Sequence, residues 1–237
     1  MVTRTNGPGT AALLQGAAGA SPPSTAAIHA RLRHDIVRLN YQPGQRLSEN
    51  EIALHFGTSR APVREAFIRL ADEGLLEIWP QRGSFVTRIS VAAMKRARFV
   101  REAIEISVVR TAAEAGLADL ALAGAEQAIA EQVIAGEDAT RFTTADDAFH
   151  RAFVEAIGIN QLWAVLEREK VQFDRIRFLS VGSATPVATL IGQHRAILDA
   201  VRRRDPDAAE EAMRSHMAEV LKATQTLIAM HPDFIAE

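Results

Sequence analysis

The chain predicts a mainly α fold, with an N-terminal winged helix-turn-helix domain followed by a C-terminal antiparallel all-helical bundle. Three observations predict it. A serine-capped short helix, a glycine and a second helix opening at Thr58 and Ser59 follow one another closely, the helix-turn-helix pattern. Two short apolar runs then flank Pro80-Gln81-Arg82-Gly83, which is turn chemistry. From Ser90 onward every apolar run repeats at helical spacing, and no strand candidate competes.

Composition sets the outer bounds. The 237 residues are 48% hydrophobic and 24% charged, an ordinary globular balance, but aromatics are only 5%. Ala, Leu, Ile and Val must therefore build the core, which leans towards helix. Without cysteine there is no disulfide framework and no thiolate metal site, which fits a reducing cytoplasm, the expected location. The net charge of −2 conceals a division: residues 25–88 carry +2, residues 89–237 carry −5. That contrast points to a polyanion contact confined to the N-terminal third. No run of about 18 apolar residues exists, so no membrane span or membrane partner is expected.

Residues 1–24 are rich in Gly, Ala, Ser, Thr and Pro without periodicity and read as a disordered arm. Residues 25–88 read as the winged domain. Its first helix runs from about Thr25 to Asn40 on an Ile28, Leu32, Ile36 and Leu39 stripe, and Tyr41-Gln42-Pro43-Gly44 ends it. Ser48-Glu49-Asn50-Glu51 is a capping box for a short helix carrying Ile52, Ala53 and Phe56, which Gly57 stops. In the next helix Ser59 can cap, Pro62 sits in the first turn, and Val63, Ala66, Phe67 and Leu70 make the apolar face. Arg60 and Arg64 stand one turn apart, off that face, and can project together to read base edges or grip phosphates. Alone, the same helix reads as a surface element with solvated arginines. Leu75–Trp79 and Ser84–Thr87 then form a hairpin, with Arg82 and Gly83 at its tip.

The pattern P-G-x-x-L-S-E-x-E-I-A-x-x-F-G-x-S-R-x-P-V-R-E-A-x-x-R-L-x-x-E-G-L-L, followed by R-G-S-F-V, runs from Pro43 to about Val86 and resembles the GntR family of bacterial transcription regulators. The resemblance implies that Arg60 and Arg64 contact operator DNA and that Gly83 approaches the minor groove, with Ser59 and Arg82 beside them. Asn50 stands where related regulators often hold a basic DNA-contacting residue. Arg69 falls on a family arginine, as a phosphate contact or a structural ion pair, with Glu49 as the acidic candidate.

Residues 89–237 read as roughly six or seven helices. Ile104, Val108, Val109 and Ala112 mark the first, and Leu120 to Ala135 the next. Another runs from about Thr144 to Ile157. One from Asn160 carries Trp163, Leu166 and Phe173. A final hairpin joins Pro186–Arg204 to Pro206–Met230, with Asp205 as N-cap and Pro206 at the first helical position. Asp146 and His150 share one helix face, and His194 and His216 lie on the apolar faces of two later helices. One carboxylate and three imidazoles suit a divalent transition metal, with Zn, Mn or Ni not distinguished. The alternative is three separately satisfied core histidines and a helix-capping aspartate.

Asp146-Asp147-Ala148-Phe149-His150 resembles the D-x-x-F-H of the all-helical effector domain, the FCD domain, of the family's FadR-type branch. That likeness implies Asp146, His150, His194 and His216 as metal ligands, with Asp147 outside the pattern. It also implies a small carboxylate effector at open metal positions, with Arg101 pairing the carboxylate. The expectation is therefore a non-enzymatic, homodimeric, ligand-responsive repressor on a pseudo-palindromic double-stranded operator. Two other readings are a metal-dependent hydrolase with Asp147 or Glu155 as base, and a DNA-binding protein whose bundle only dimerises.

Overall fold

The computed structural model describes residues 23–236. The expected disordered arm lies outside the described residues, apart from its last two positions. Two compact units are present among the described residues: 23–33 with Arg46–Phe85, and His34–Gln45 with 86–236.

The first helix, α1 (Thr25–Val37), buries Ile28, Leu32 and Ile36 completely. It stops short of the expected Asn40 because Leu39 turns left-handed at φ 60° and the Asn40 and Tyr41 N–H groups fold back onto Asp35 O. Strand β1 (Arg46–Leu47) is too short to leave an alternating signature and was not expected. Helix α2 (Glu49–His55) starts at Ser48, whose hydroxyl accepts from Glu51 N–H at 3.4 Å. Helix α3 (Arg60–Asp72) buries Val63, Ala66, Phe67 and Leu70, the face its spacing predicts. Ser59 is its N-cap by backbone conformation, although its hydroxyl makes no capping bond. Strands β2 (Leu76–Trp79) and β3 (Gly83–Val86) complete a three-stranded sheet in the order β1-β3-β2. Arg46 lies opposite Phe85 and Leu47 opposite Ser84 in the antiparallel β1/β3 pair. Gly83 opens β3 rather than sitting at the hairpin tip, which is Pro80 to Arg82, closed by an Arg82 N–H bond to Trp79 O at 3.1 Å.

The larger unit holds seven α-helices among the described residues beyond Val86. Helix α4 (Val91–Ala115) is capped by the Ser90 hydroxyl, and α5 (Asp119–Ala135) packs along α6 (Ala139–Ala156). The α6 helix begins five residues before the expected Thr144, because Asp138 caps it by accepting from Arg141 N–H. The single helix expected from Asn160 is two, α7 (Gln161–Glu169) and α8 (Val171–Ser180), with a bend at Lys170. No glycine or proline marks that bend. The buried Lys170 ammonium instead holds Asp147 and Asp174 at 2.9 Å each. Helices α9 (Val187–Arg202) and α10 (Pro206–Met230) form the hairpin, with Asp205 accepting from Ala208 N–H and Pro206 at N1. The α10 helix lies against both α4 and α9, and Phe149, Ile197, Ala209 and Leu166 sit fully buried in the main core.

Candidate metal centre and nucleic-acid interface

The DNA-reading candidates stand on the exposed side of α3. Arg60 donates to Glu49 Oε2 at 3.0 Å, and Arg64 donates to both Glu49 oxygens at 3.1 and 3.2 Å. One acid at the start of α2 thus ties two arginines of α3, and the bonds from Arg64 hold its carboxyl below the usual range. Both arginine side chains stay more than half exposed. The expected partnership of Arg69 with Glu49 is overturned: Arg69 pairs with Glu65 at 2.5 Å, one turn back on its own helix.

Asn50 is exposed on α2, and a groove of about 330 Å³ runs past Ser48, Asn50, Arg60, Gln81 and Gly83. Arg82 lies with its guanidinium 4.9 Å above the Trp79 ring. Gly83 has φ 110°, and a β-carbon there would meet Arg46 Nε at 2.8 Å. Arg46, exposed and lining the same groove, was missed in sequence because β1 itself was.

The metal candidates converge. Asp146, His150, His194 and His216 come from α6, α9 and α10, are all buried, and bring one ligand atom each within 4.8 Å of the others. His216 Nε2 lies 3.2 Å from His150 Nε2 and 3.3 Å from His194 Nε2. Asp146 Oδ1 stands 3.5 Å from His194 Nε2, and Oδ2 stands 3.7 Å from His150 Nε2.

The outer ring nitrogens explain the orientation. His150 Nδ1 faces Glu105 Oε2 at 2.5 Å, His194 Nδ1 faces Gln132 Oε1 at 2.7 Å, and His216 Nδ1 faces Gln193 Oε1 at 3.0 Å. Gln193 cannot be turned round, because its Nε2 donates to Glu219 Oε2 at 3.1 Å. At His216 the fixed Gln193 oxygen therefore accepts from Nδ1, which leaves its Nε2 facing His150 Nε2 and His194 Nε2. Burial pushes His194 and His216 well below the ordinary histidine value, so both rings are neutral. Neutral imidazoles held by an oxygen at the far nitrogen are what a metal-ligating histidine needs. Ligands at about 2.1 Å from an ion stand about 3.0 to 3.4 Å apart, so the nitrogen spacing fits the group.

Around the centre, Arg177 donates to Asp146 Oδ2 at 2.6 Å and to Asp147 Oδ1 at 2.7 Å. Arg101 is buried, with its Nε on Glu105 Oε1 at 2.6 Å and its guanidinium 4.6 Å above Phe173. Arg101 and His150 flank Glu105 and, against the penalty of burial, hold its carboxyl well below the usual range. A cavity of about 30 Å³ adjoins the cluster, lined by Arg101, Asp146, Arg177, Ser180, Thr185 and His216. Sequence reading missed Glu105, Gln132, Gln193 and Arg177. Glu105 had a signal, since Arg101, Glu105, Val108 and Ala112 share one stripe of α4 and two of them are charged.

The two bases considered for hydrolysis are occupied. Asp147 is bound by Lys170 and Arg177, and Glu155 is exposed and paired with Arg151.

Residues 24–86 match the family described as bacterial regulatory proteins, gntR family, and residues 97–219 match the FCD domain. The HTH-type transcriptional repressor RspR of Escherichia coli is 38% identical over 212 residues, 89% of this chain and 92% of that protein. A probable D-xylose utilization operon transcriptional repressor of Paenarthrobacter nicotinovorans is 32% identical over 76% of this chain and 80% of its own length. The solved structure of a GntR regulator from Rhodococcus sp. RHA1 superposes with a TM-score of 0.70 at 25% identity, over 84% of this chain and 97% of that one. Escherichia coli McbR/YncC, at 20% identity and TM-score 0.71 over 85% and 97%, shares the fold. The chain therefore belongs to the GntR family of bacterial transcriptional regulators, as a DNA-binding protein rather than an enzyme, with an FCD domain behind its helix-turn-helix.

Proposed function

We propose that this regulator is a homodimeric, cytoplasmic repressor whose operator binding is set by a small carboxylate effector at a divalent metal in the bundle. The observation that carries the reading is the meeting of three Nε2 atoms and one carboxylate in a buried pocket. Buried lone pairs facing one another repel unless a cation stands between them. Asp146, His150, His194 and His216 would hold the ion, and Zn, Mn and Ni all suit this donor set. When bound, the ion supplies a Lewis-acid anchor for an anionic ligand. Arg101 adds a guanidinium facing the same cavity, with Glu105 as its one ion-pair partner among the described residues.

The cavity volume of about 30 Å³ has room for about one water molecule. A carboxylate metabolite must therefore displace Arg101, Arg177 or their neighbours to enter, and its differential affinity for the opened form is what shifts the population. On the DNA side, Arg60 and Arg64, with Ser59, Asn50, Arg82 and Gly83, are assigned to the operator. A two-fold dimer then places two α3 helices on a pseudo-palindrome. Two relatives, one named as a probable D-xylose utilization operon repressor and one as a galactonate operon repressor of Escherichia coli 28% identical to this chain, fit a small polar effector.

The test is band-shift titration of the full chain against its own upstream region, with and without metal chelation. Specific binding at moderate salt that changes with chelation supports the reading. Absence of specific binding sinks the operator assignment, and binding indifferent to metal leaves the bundle as a dimerisation module only.

A further inference from the structure

Thr87, Arg88 and Ile89 join strand β3 to Ser90, the cap of helix α4, and this segment is gripped at two points. Ile89 N–H donates to Phe234 O at 2.8 Å, and Ile89 O accepts from Ala236 N–H at 3.0 Å. Two residues earlier, Arg175 of α8 donates to Thr87 O at 2.7 Å and to the Thr87 hydroxyl at 3.1 Å.

Arg175 is an unusual choice for that grip. It is completely buried, no carboxylate pairs with it among the described residues, and its Nε has no acceptor. Among the described residues its one other hydrogen-bond partner is the Gln172 amide oxygen at 3.3 Å. Burial without a counter-charge lowers its pKa to about 10. A charge held this way opposes folding, so a side chain kept only for packing would do better as an apolar residue.

The helix that carries it supplies a role. Residues two apart on a helix project about 200° apart, so Arg175 and Arg177 leave α8 on opposite sides. Arg177 reaches Asp146, and Phe173, one turn from Arg177, lies under Arg101. Ten residues between breaks at Lys170 and Val181 therefore hold the metal cluster on one side and the β3–α4 segment on the other. We propose that Arg175 is a positioning residue through which the state of the cluster is transmitted along α8 to the segment leading to the DNA-binding strands. The proposal rests on the metal reading above. An ion or anion that alters the Arg177–Asp146 pairing shifts α8 as a short rod, and Arg175 carries Thr87 with it.

Hydrogen exchange at the amides of residues 87–91 in the full chain, with Mn²⁺ alone as probe, tests it. Wild type should show a change of about fivefold or more on Mn²⁺ binding. Arg175→Met should lose that change while taking up the same Mn²⁺ per chain, and its thermal stability should be equal or higher. A full Mn²⁺ response in Arg175→Met, or a wild-type chain that binds Mn²⁺ with no response in this segment, overturns the proposal. Arg175→Gln, too short to span to Thr87, serves if the first variant does not fold. Failure of wild type to take up Mn²⁺ counts against the metal reading. The exchange of Arg175→Met, Arg177→Met and the double variant then decides the coupling: non-additive effects support it and additive effects overturn it.

Discussion

Glu49 gathers the guanidinia of Arg60 and Arg64 on one carboxylate, so the two arginines face solvent as one pre-ordered unit. If Arg64 reads a guanine, Arg64→Ala weakens operator binding by about 1–3 kcal/mol and random DNA by much less. An equal loss on both, read by anisotropy titration, would make it a phosphate contact instead. Gly83 carries a different constraint. At φ 110°, with Arg46 against the space a side chain would fill, Gly83→Ala strains the backbone and displaces a cation of the groove. Its melting temperature falls, by about 1 kcal/mol or more in stability, and an unchanged melt would show that β3 can absorb the strain. At the cluster, the four candidate ligands were readable as polar residues on apolar helix faces. Their supports were not, because Gln132 and Gln193 meet His194 and His216 across helix interfaces that no local spacing encodes.

Elements show the same split between local and tertiary signals. The α3 face, the Ser48 cap, and the Asp205-Pro206 start of α10 depend on neighbours in sequence and were legible there. Asp205→Ala should therefore remove a real cap and about 0.5–2 kcal/mol, seen as a lower urea midpoint with an unchanged slope. The break between α7 and α8 was not legible. It follows from Lys170 drawing Asp147 and Asp174 together from α6 and α8, a tertiary ion cluster with no glycine or proline to announce it. Strand β1 escaped for a related reason, since two residues gain strand geometry only by pairing with β3. The resulting short α8 is what allows a single helix to face both the cluster and Thr87.

At the scale of the whole molecule, the small charge contrast of the sequence has a physical counterpart. Arg60 and Arg64 stand exposed in the basic third, and in the acidic remainder Glu105, Asp146 and Asp174 are spent inside the bundle on Arg101, Arg177 and Lys170. Metal binding to the folded bundle alone must stabilise it by linkage, about 2.7 kcal/mol at a hundredfold excess over Kd. Chelation should lower the melting temperature of wild type and leave His216→Ala unmoved. The most direct measurement is metal per chain in the purified protein, by elemental analysis, for wild type, His150→Ala and His216→Ala. The account predicts about one divalent transition-metal ion per wild-type chain, with marked loss in both variants. Wild type without metal, or variants that retain it in full, would contradict the account.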